Sequence, residues 1–261
     1  MKYENYIKID SIDIKELEIY QKLRDAVFSA DNSFIADSPK VVNTLLERDI
    51  EIKSILATQE YYDKYRDLIS LQNIPKLYLA DKEEMQKIVG RRIHHNCMAH
   101  GVRPAQTQLS ELGDHIIMLD EISSSENVGA IARSAAALGV DSYLLPSSAP
   151  HPYQRRALRV SMGHISKLKM HQYEDIFSTL EYLKARGYTI FGAELTPESI
   201  NLADIETPKK WVLLMGHEGK GLSQEILDEC SHCVKIEMVD GVRSFNVATA
   251  ASIIMYKFKM L

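Results

Sequence analysis

Three short stretches of this 261-residue chain gather polar side chains and glycines where an apolar run gives way to a helical pattern. The first holds Asn127, Gly129 and Arg133. The second reads Gly216-His217-Glu218-Gly219-Lys220-Gly221-Leu222, and the third runs from Met238 to Asn246 through Gly241, Ser244 and Phe245. Carboxylate, amide, hydroxyl and guanidinium groups beside glycine turns can hold a ligand by backbone and orient a hydroxyl or a phosphate. The second stretch is first tested as a phosphate loop. Gly216 and Gly221 have the G-x-x-x-x-G spacing, but Leu222 stands where the phosphate lysine belongs and Lys220 comes one position early. Gly216, Gly219 and Gly221 do not follow G-x-G-x-x-G either. What remains is a strand-to-helix turn that admits close backbone approach, with Glu218 at its mouth. Simpler roles are available for several of these residues. Ser123 and Glu126 have capping-box spacing, Ser244 or Asn246 could merely cap a helix, and Arg133 could be a solvated cation.

The elements that must position these residues show a regular rhythm. From Asp114 onward, apolar strand-sized runs (His115–Ile122, Val140–Leu145, Tyr188–Leu195, Trp211–Met215, Val234–Met238) alternate with helical patterns. The helices are expected around Val128–Leu138, Arg155–Met162, Ile176–Arg186, Ser223–Glu229 and Phe245–Lys259. That alternation implies an α/β fold whose mostly parallel sheet has helices on both faces. Ligands of such sheets sit beyond the carboxyl ends of strands, where the three polar stretches fall. Upstream, residues 34–110 read as a smaller α/β unit. Its helix repeats Val41, Val42, Leu45 and Leu46, strands are expected at Ile50–Ala57 and Lys76–Ala80, and helices at Tyr61–Leu71 and Lys82–Val89. The division read from sequence is a helical extension over 1–32, a small domain over 33–103, a linker over 104–114 and a larger domain over 115–261. The chain length allows two such unequal domains.

Composition narrows the functional classes. Hydrophobic residues at 45% and charged residues at 26% are ordinary globular usage, which argues against a disordered or fibrous chain. The longest apolar runs are strand-sized, so no membrane helix is expected. The start, MKYENYIKID, lacks a signal-peptide core, and three cysteines are too few for a disulfide framework; the cytoplasm is the expected compartment. The formal net charge of −5 is not that of a nucleic-acid binder. Its distribution is uneven, however. Arg91, Arg92 and Arg103 bracket a stretch without acids, as do Arg155, Arg156, Arg159, Lys167 and Lys169 between His151 and His171. Such segments suit a polyanion, or simply solvated helix faces.

Singly ambiguous, the three stretches in order resemble one family. N-x-G-x-x-x-R (Asn127, Gly129, Arg133), L-x-G-x-E-G-x-G-L (Leu214 to Leu222) and I-x-M-x-x-G-x-x-S-x-N-V (Ile236 to Val247) are similar to the motifs of the SpoU/TrmH RNA 2′-O-ribose methyltransferases of the SPOUT class. The resemblance implies a C-terminal parallel-sheet domain with a trefoil knot, preceded by a small L30e-like RNA-binding domain. It implies S-adenosylmethionine as methyl donor, no metal, ribosomal or transfer RNA as substrate, and a homodimer whose paired C-terminal domains build each site jointly. Carried over position by position, the catalytic set is Arg133, Asn127, Glu218, Ser244 and Asn246. The donor-binding set is Leu195, Thr196, Gly216, His217, Gly219, Ile236, Met238, Ser244, Phe245 and Asn246. Arg91, Arg92, Arg103, Arg155, Arg156 and Arg159 form the expected RNA footprint. Many members read G-N-E, I-P-M and S-L-N where this chain has Gly216-His217-Glu218, Ile236-Glu237-Met238 and Ser244-Phe245-Asn246.

Two other readings stand beside it. One is an RNA-binding module with the same fold and no turnover. The other is a metal or redox site built from Cys230, His232 and Cys233, with Cys97 and His100 as further ligands.

Overall fold

Runs such as Trp211–Met215 have no polar face, so their strands need helices on both sides of the sheet. The computed structural model, which describes residues 6–9, 14–22, 28, 30–242 and 244–259, provides them. The strands are β1 (Tyr6–Lys8), β2 (Ser33–Asp37), β3 (Ile52–Ala57), β4 (Lys76–Leu79), β5 (Cys97–Val102), β6 (His115–Leu119), β7 (Ser142–Pro146), β8 (Lys169–Tyr173), β9 (Thr189–Ala193), β10 (Ile200–Asn201), β11 (Trp211–Met215) and β12 (His232–Lys235). The α-helices are α1 (Pro39–Leu46), α2 (Gln59–Lys64), α3 (Arg66–Ser70), α4 (Lys82–Val89), α5 (Ser125–Leu138), α6 (Arg155–Val160), α7 (Ile176–Ala185), α8 (Gln224–Asp228) and α9 (Val247–Lys259). They fall into two units. The first takes residues through Ala105 together with Tyr153–Ser166, and the second takes Gln106–Pro152 and Lys167–Leu261.

The first unit is a five-stranded mixed sheet in the order β1-β4-β3-β5-β2, parallel from β1 to β3 and antiparallel beyond. Two sequence expectations change here. The 1–32 stretch is not simply helical: Tyr6–Lys8 is an edge strand beside β4, and a 3-10 helix at Lys15–Gln21 buries Leu17 and Tyr20. Tyr20 also meets the Ser54 hydroxyl at 2.8 Å, so this stretch is core rather than preamble. The rest of that expected helix lies largely outside the described residues. Second, Arg155–Met162 belongs with this unit although its sequence lies inside the expected 115–261 domain. The excursion is fastened by Tyr153, whose ring sits 5.3 Å from that of Phe34, and by Arg155 and Arg159, which both pair with the buried Asp37 of β2. Strands β2 and β5 were not expected either. Both lack polar alternation because β2 is buried along its whole length and β5 nearly so.

The second unit is a seven-stranded sheet, parallel throughout, in the order β10-β12-β9-β11-β6-β7-β8. Since all strands run one way, the carboxyl ends of β9, β11 and β12 open on the same edge. Helix α5 starts at Ser124, whose hydroxyl accepts from the Asn127 amide, and ends at Gly139. Small residues let α9 lie close to α5, where the Ser252 hydroxyl donates to the Ser134 hydroxyl at 2.8 Å. Phe258 of α9 meets Trp211 edge-on at 5.1 Å. Strand β12 ends at Lys235, so Ile236 to Met238, expected as strand, are free to line an opening. Among the described residues no helix is long and apolar enough to cross a membrane.

The Asp37 pairings carry a stability consequence. Asp37→Ala leaves two guanidinium groups without their acid and should destabilise the protein by about 3 kcal/mol in denaturant unfolding. The exposed Arg92→Ala should change it by less than about 0.5 kcal/mol.

Candidate active site

The opening at the carboxyl ends of β9, β11 and β12 is a crevice of about 360 Å³, within the usual range for a small-molecule site. Its walls come from Ala193 to Leu195, Met215 to Gly221, Val234 to Ile236, Met238, Ser244, Phe245 and the α9 residues Val247, Ala250 and Ile254. Apolar side chains and backbone share the lining with the charged side chains of Glu194, Glu218, Lys220 and Lys235.

The Gly216–Leu222 loop owes its shape to two glycines. Gly221 has φ +69°, and a Cβ on Gly216 would lie 2.5 Å from the Gly221 carbonyl. His217 and Gly221 exchange backbone hydrogen bonds at 3.2 and 2.9 Å. The His217 imidazole then accepts, through Nδ1, from the Gly219 amide at 2.8 Å and the Lys220 amide at 3.2 Å. Four amides are therefore consumed inside the loop. A phosphate loop needs such groups free, which is the physical reason the near-match in spacing is not one.

Glu218 joins this loop to the first polar stretch. Its carboxylate accepts from the Ser123 amide and hydroxyl, the Ser124 amide and the Asn127 side-chain amide, at 2.9 to 3.4 Å. Asn127 Oδ1 accepts from Asn246 Nδ2 at 3.1 Å, and Asn246 Oδ1 accepts from the Ala248 and Thr249 amides, capping α9. One chain of hydrogen bonds thus links all three stretches. Burial works against ionisation of Glu218, but the bonds from Asn127, Ser123 and Ser124 outweigh it and hold the carboxyl below its usual range. The Ser123/Glu126 capping box is replaced: Ser124 caps α5 and Ser123 is committed to Glu218.

Of the expected donor-binding residues, Leu195, Gly216, His217, Gly219, Ile236, Met238, Ser244 and Phe245 line the crevice. Thr196 is turned into its own turn, its amide donating to the Ser199 hydroxyl at 3.0 Å, and Asn246 stands in the hydrogen-bond chain. Arg133 is exposed on α5 and is not among the lining residues. Within the first unit, Arg103 is buried and donates through Nε to the Ser33 carbonyl at 2.9 Å, while Arg155 and Arg159 face Asp37. Burial and the neighbouring Arg155 and Arg159 disfavour the charge on Arg91, with Asp37 opposing them; Arg92 and Arg156 are exposed. The cysteines of the metal reading are buried or half-buried. Burial pushes the Cys230 thiol up to about 12, the buried Cys97 well above its ordinary value, and among the described residues no His/Cys/Asp/Glu group could hold an ion. The sequence reading gave Ser123 only as a cap and did not name Ser124, because only the fold brings them to Glu218.

Residues 114–256 match the model of the SpoU rRNA methylase family. The chain belongs to that family. An uncharacterized tRNA/rRNA methyltransferase of Mycobacterium bovis is 29% identical over 232 residues, 85% of this chain and 79% of its own length. A Staphylococcus haemolyticus protein ascribed to the TrmH family of tRNA/rRNA methyltransferases is 30% identical over 142 residues, 54% of this chain, and the match spans only 57% of that relative. Among solved structures, an AdoMet-bound rRNA methyltransferase from Sinorhizobium meliloti superposes with a TM-score of 0.85 over 98% of both chains at 19% identity. The SpoU methyltransferase AviRb from Streptomyces viridochromogenes, in complex with AdoMet, gives 0.83 over 95% of this chain and 98% of its own at 20% identity. At those identities the likeness is one of fold.

The lowered Glu218 carboxyl fixes a sign. Its contribution to loop stability is complete above the unfolded carboxylate value, roughly pH 4.3, and is lost as pH falls through the lower folded value. Exchange protection of the Ser123 and Ser124 amides should follow that course, and Glu218→Gln should show weak protection that does not vary across it.

Proposed function

We propose that the chain transfers a methyl group from S-adenosylmethionine to a ribose 2′-hydroxyl of ribosomal or transfer RNA. The observation that carries this reading is the hydrogen-bond chain from Glu218 through Asn127 to Asn246, which ties the two polar loops beside the crevice to the turn that opens α5. The crevice fits the donor in kind. Ile236, Met238, Phe245 and Ile254 offer an apolar wall for a flat base, and Gly216, packed on the Gly221 backbone, contributes main chain to the lining. When bound, the donor supplies a methyl group already activated on a sulfonium. The chain's own task is alignment, because a ribose hydroxyl reacts only when held in line with that methyl.

Arg133 is assigned to hold the target nucleotide by its phosphate and orient its hydroxyl. A guanidinium remains protonated, so this role is electrostatic rather than basic. As Arg133 lies outside the crevice of its own chain, the reading has a second copy supply it, in a homodimer whose paired units complete each site. The family also leads us to propose a trefoil knot in the second unit, an L30e-like RNA-binding role for the first, and action in the cytoplasm. Arg92 and Arg156 are the surface cations of the proposed RNA footprint; Arg155 and Arg159 reach RNA only while sharing Asp37.

Two measurements test the reading. Labelled methyl transfer to RNA should fall at least about 100-fold in Arg133→Ala with donor affinity unchanged, and an RNA with a 2′-deoxy target should accept nothing. Full activity in Arg133→Ala would overturn the role given to it. Arg92→Glu with Arg156→Glu should weaken RNA binding and reduce the salt slope by roughly 0.7 to 0.9 for each phosphate no longer neutralised; an unchanged slope removes them from the footprint.

A further inference from the structure

No motif singles out the residue that follows β9. Glu194 lines the crevice at the point where β9 ends, and its backbone is fixed on both sides. Its amide donates to the Val234 carbonyl at 3.2 Å, and its carbonyl accepts from the Ser199 hydroxyl at 2.7 Å. The carboxylate reaches across. Oε2 accepts from the Leu222 amide at 2.9 Å, and Oε1 accepts from the Leu195 amide at 3.1 Å. Among the described residues no lysine or arginine pairs with it, so its bonds go to backbone amides.

The position of those amides gives the interaction its meaning. Gly219, Lys220 and Gly221 donate within their own loop, whereas Leu222 donates out of it, to β9's end. Glu194 is therefore a tie between the turn at Leu195 and the loop Gly216–Leu222, two crevice-lining segments that come from separate strands. The tie adds to the φ of +69° in calling for glycine at 221. A Cβ there would stand 1.9 Å from Glu194 Oε2, so the carboxylate occupies the space that any side chain at 221 would need.

We propose that Glu194 is a positioning residue for the methyl donor: by holding Leu222 and Leu195 it sets the spacing of two walls of the crevice before the donor arrives. The inference rests on the donor reading above. It places Glu194 in binding and not in the chemical step, since its oxygens already hold the backbone amides of two walls. Loss of a charge-assisted bond of this kind should weaken binding by about tenfold or more.

The test is calorimetric titration of the full chain with S-adenosylmethionine, together with kcat and KM for the donor. In Glu194→Ala the dissociation constant and KM should both rise about tenfold or more while kcat stays within about twofold. Glu194→Gln keeps one acceptor but turns an amide N–H₂ toward one of the two donors, so it should fall between; if Glu194→Ala does not fold, the glutamine variant decides. Gly221→Ala should mimic the loss. A Glu194 variant that binds the donor as tightly as the wild type overturns the role of Glu194 alone, and so does one that lowers kcat at unchanged KM. A wild-type chain that fails to bind S-adenosylmethionine overturns the donor reading, and this inference with it.

Discussion

One ionised carboxylate organises the site. Glu218 has no cationic partner among the described residues; backbone amides, a hydroxyl and a side-chain amide hold it. Those donors come from the turn that opens α5, and Asn127 passes the restraint on to Asn246 at the start of α9. Three loops far apart in sequence thereby share one geometry. A carboxylate satisfied by several donors is a rigid anchor in a way that a surface ion pair is not, because no long flexible side chain must be immobilised against it.

The parallel sheet makes that anchor possible. With β9, β11 and β12 running in one direction, their following loops emerge on one edge, and the close packing of α9 on α5 brings the third loop to the first. The apolar strands explain why the scaffold is stiff. Trp211 to Met215 are buried at every position, so the loop after them starts from a fixed point. The loop then closes on itself through His217, which accepts two amides with one ring nitrogen. An asparagine side chain could accept in the same fashion, so the turn does not depend on the imidazole as such.

Much of this was legible in the residues. The alternation of strand and helix from Asp114 onward, the glycine end of α5 and the polar clustering of the three loops follow from periodicity and turn chemistry. Other features were hidden for physical reasons. Strands β2 and β5 are buried almost throughout and show no alternation, and β1 is three residues long. The return of Arg155–Val160 to the first unit depends on Asp37, 118 residues away in sequence from Arg155. Basic stretches that suggest a surface footprint are mixed in the fold, since Arg103 is buried against Ser33 and two other arginines share one acid. Charge along a sequence reports composition; only the fold decides which cations remain available.

The central claim is that the loops at the ends of β9, β11 and β12, the second of them anchored by Glu218, form the donor site. Hydrogen exchange of the full chain with and without S-adenosylmethionine addresses it directly. Protection confined to segments 193–196, 216–222 and 236–247 is the predicted result. Protection elsewhere, or none at saturating donor, would contradict the account.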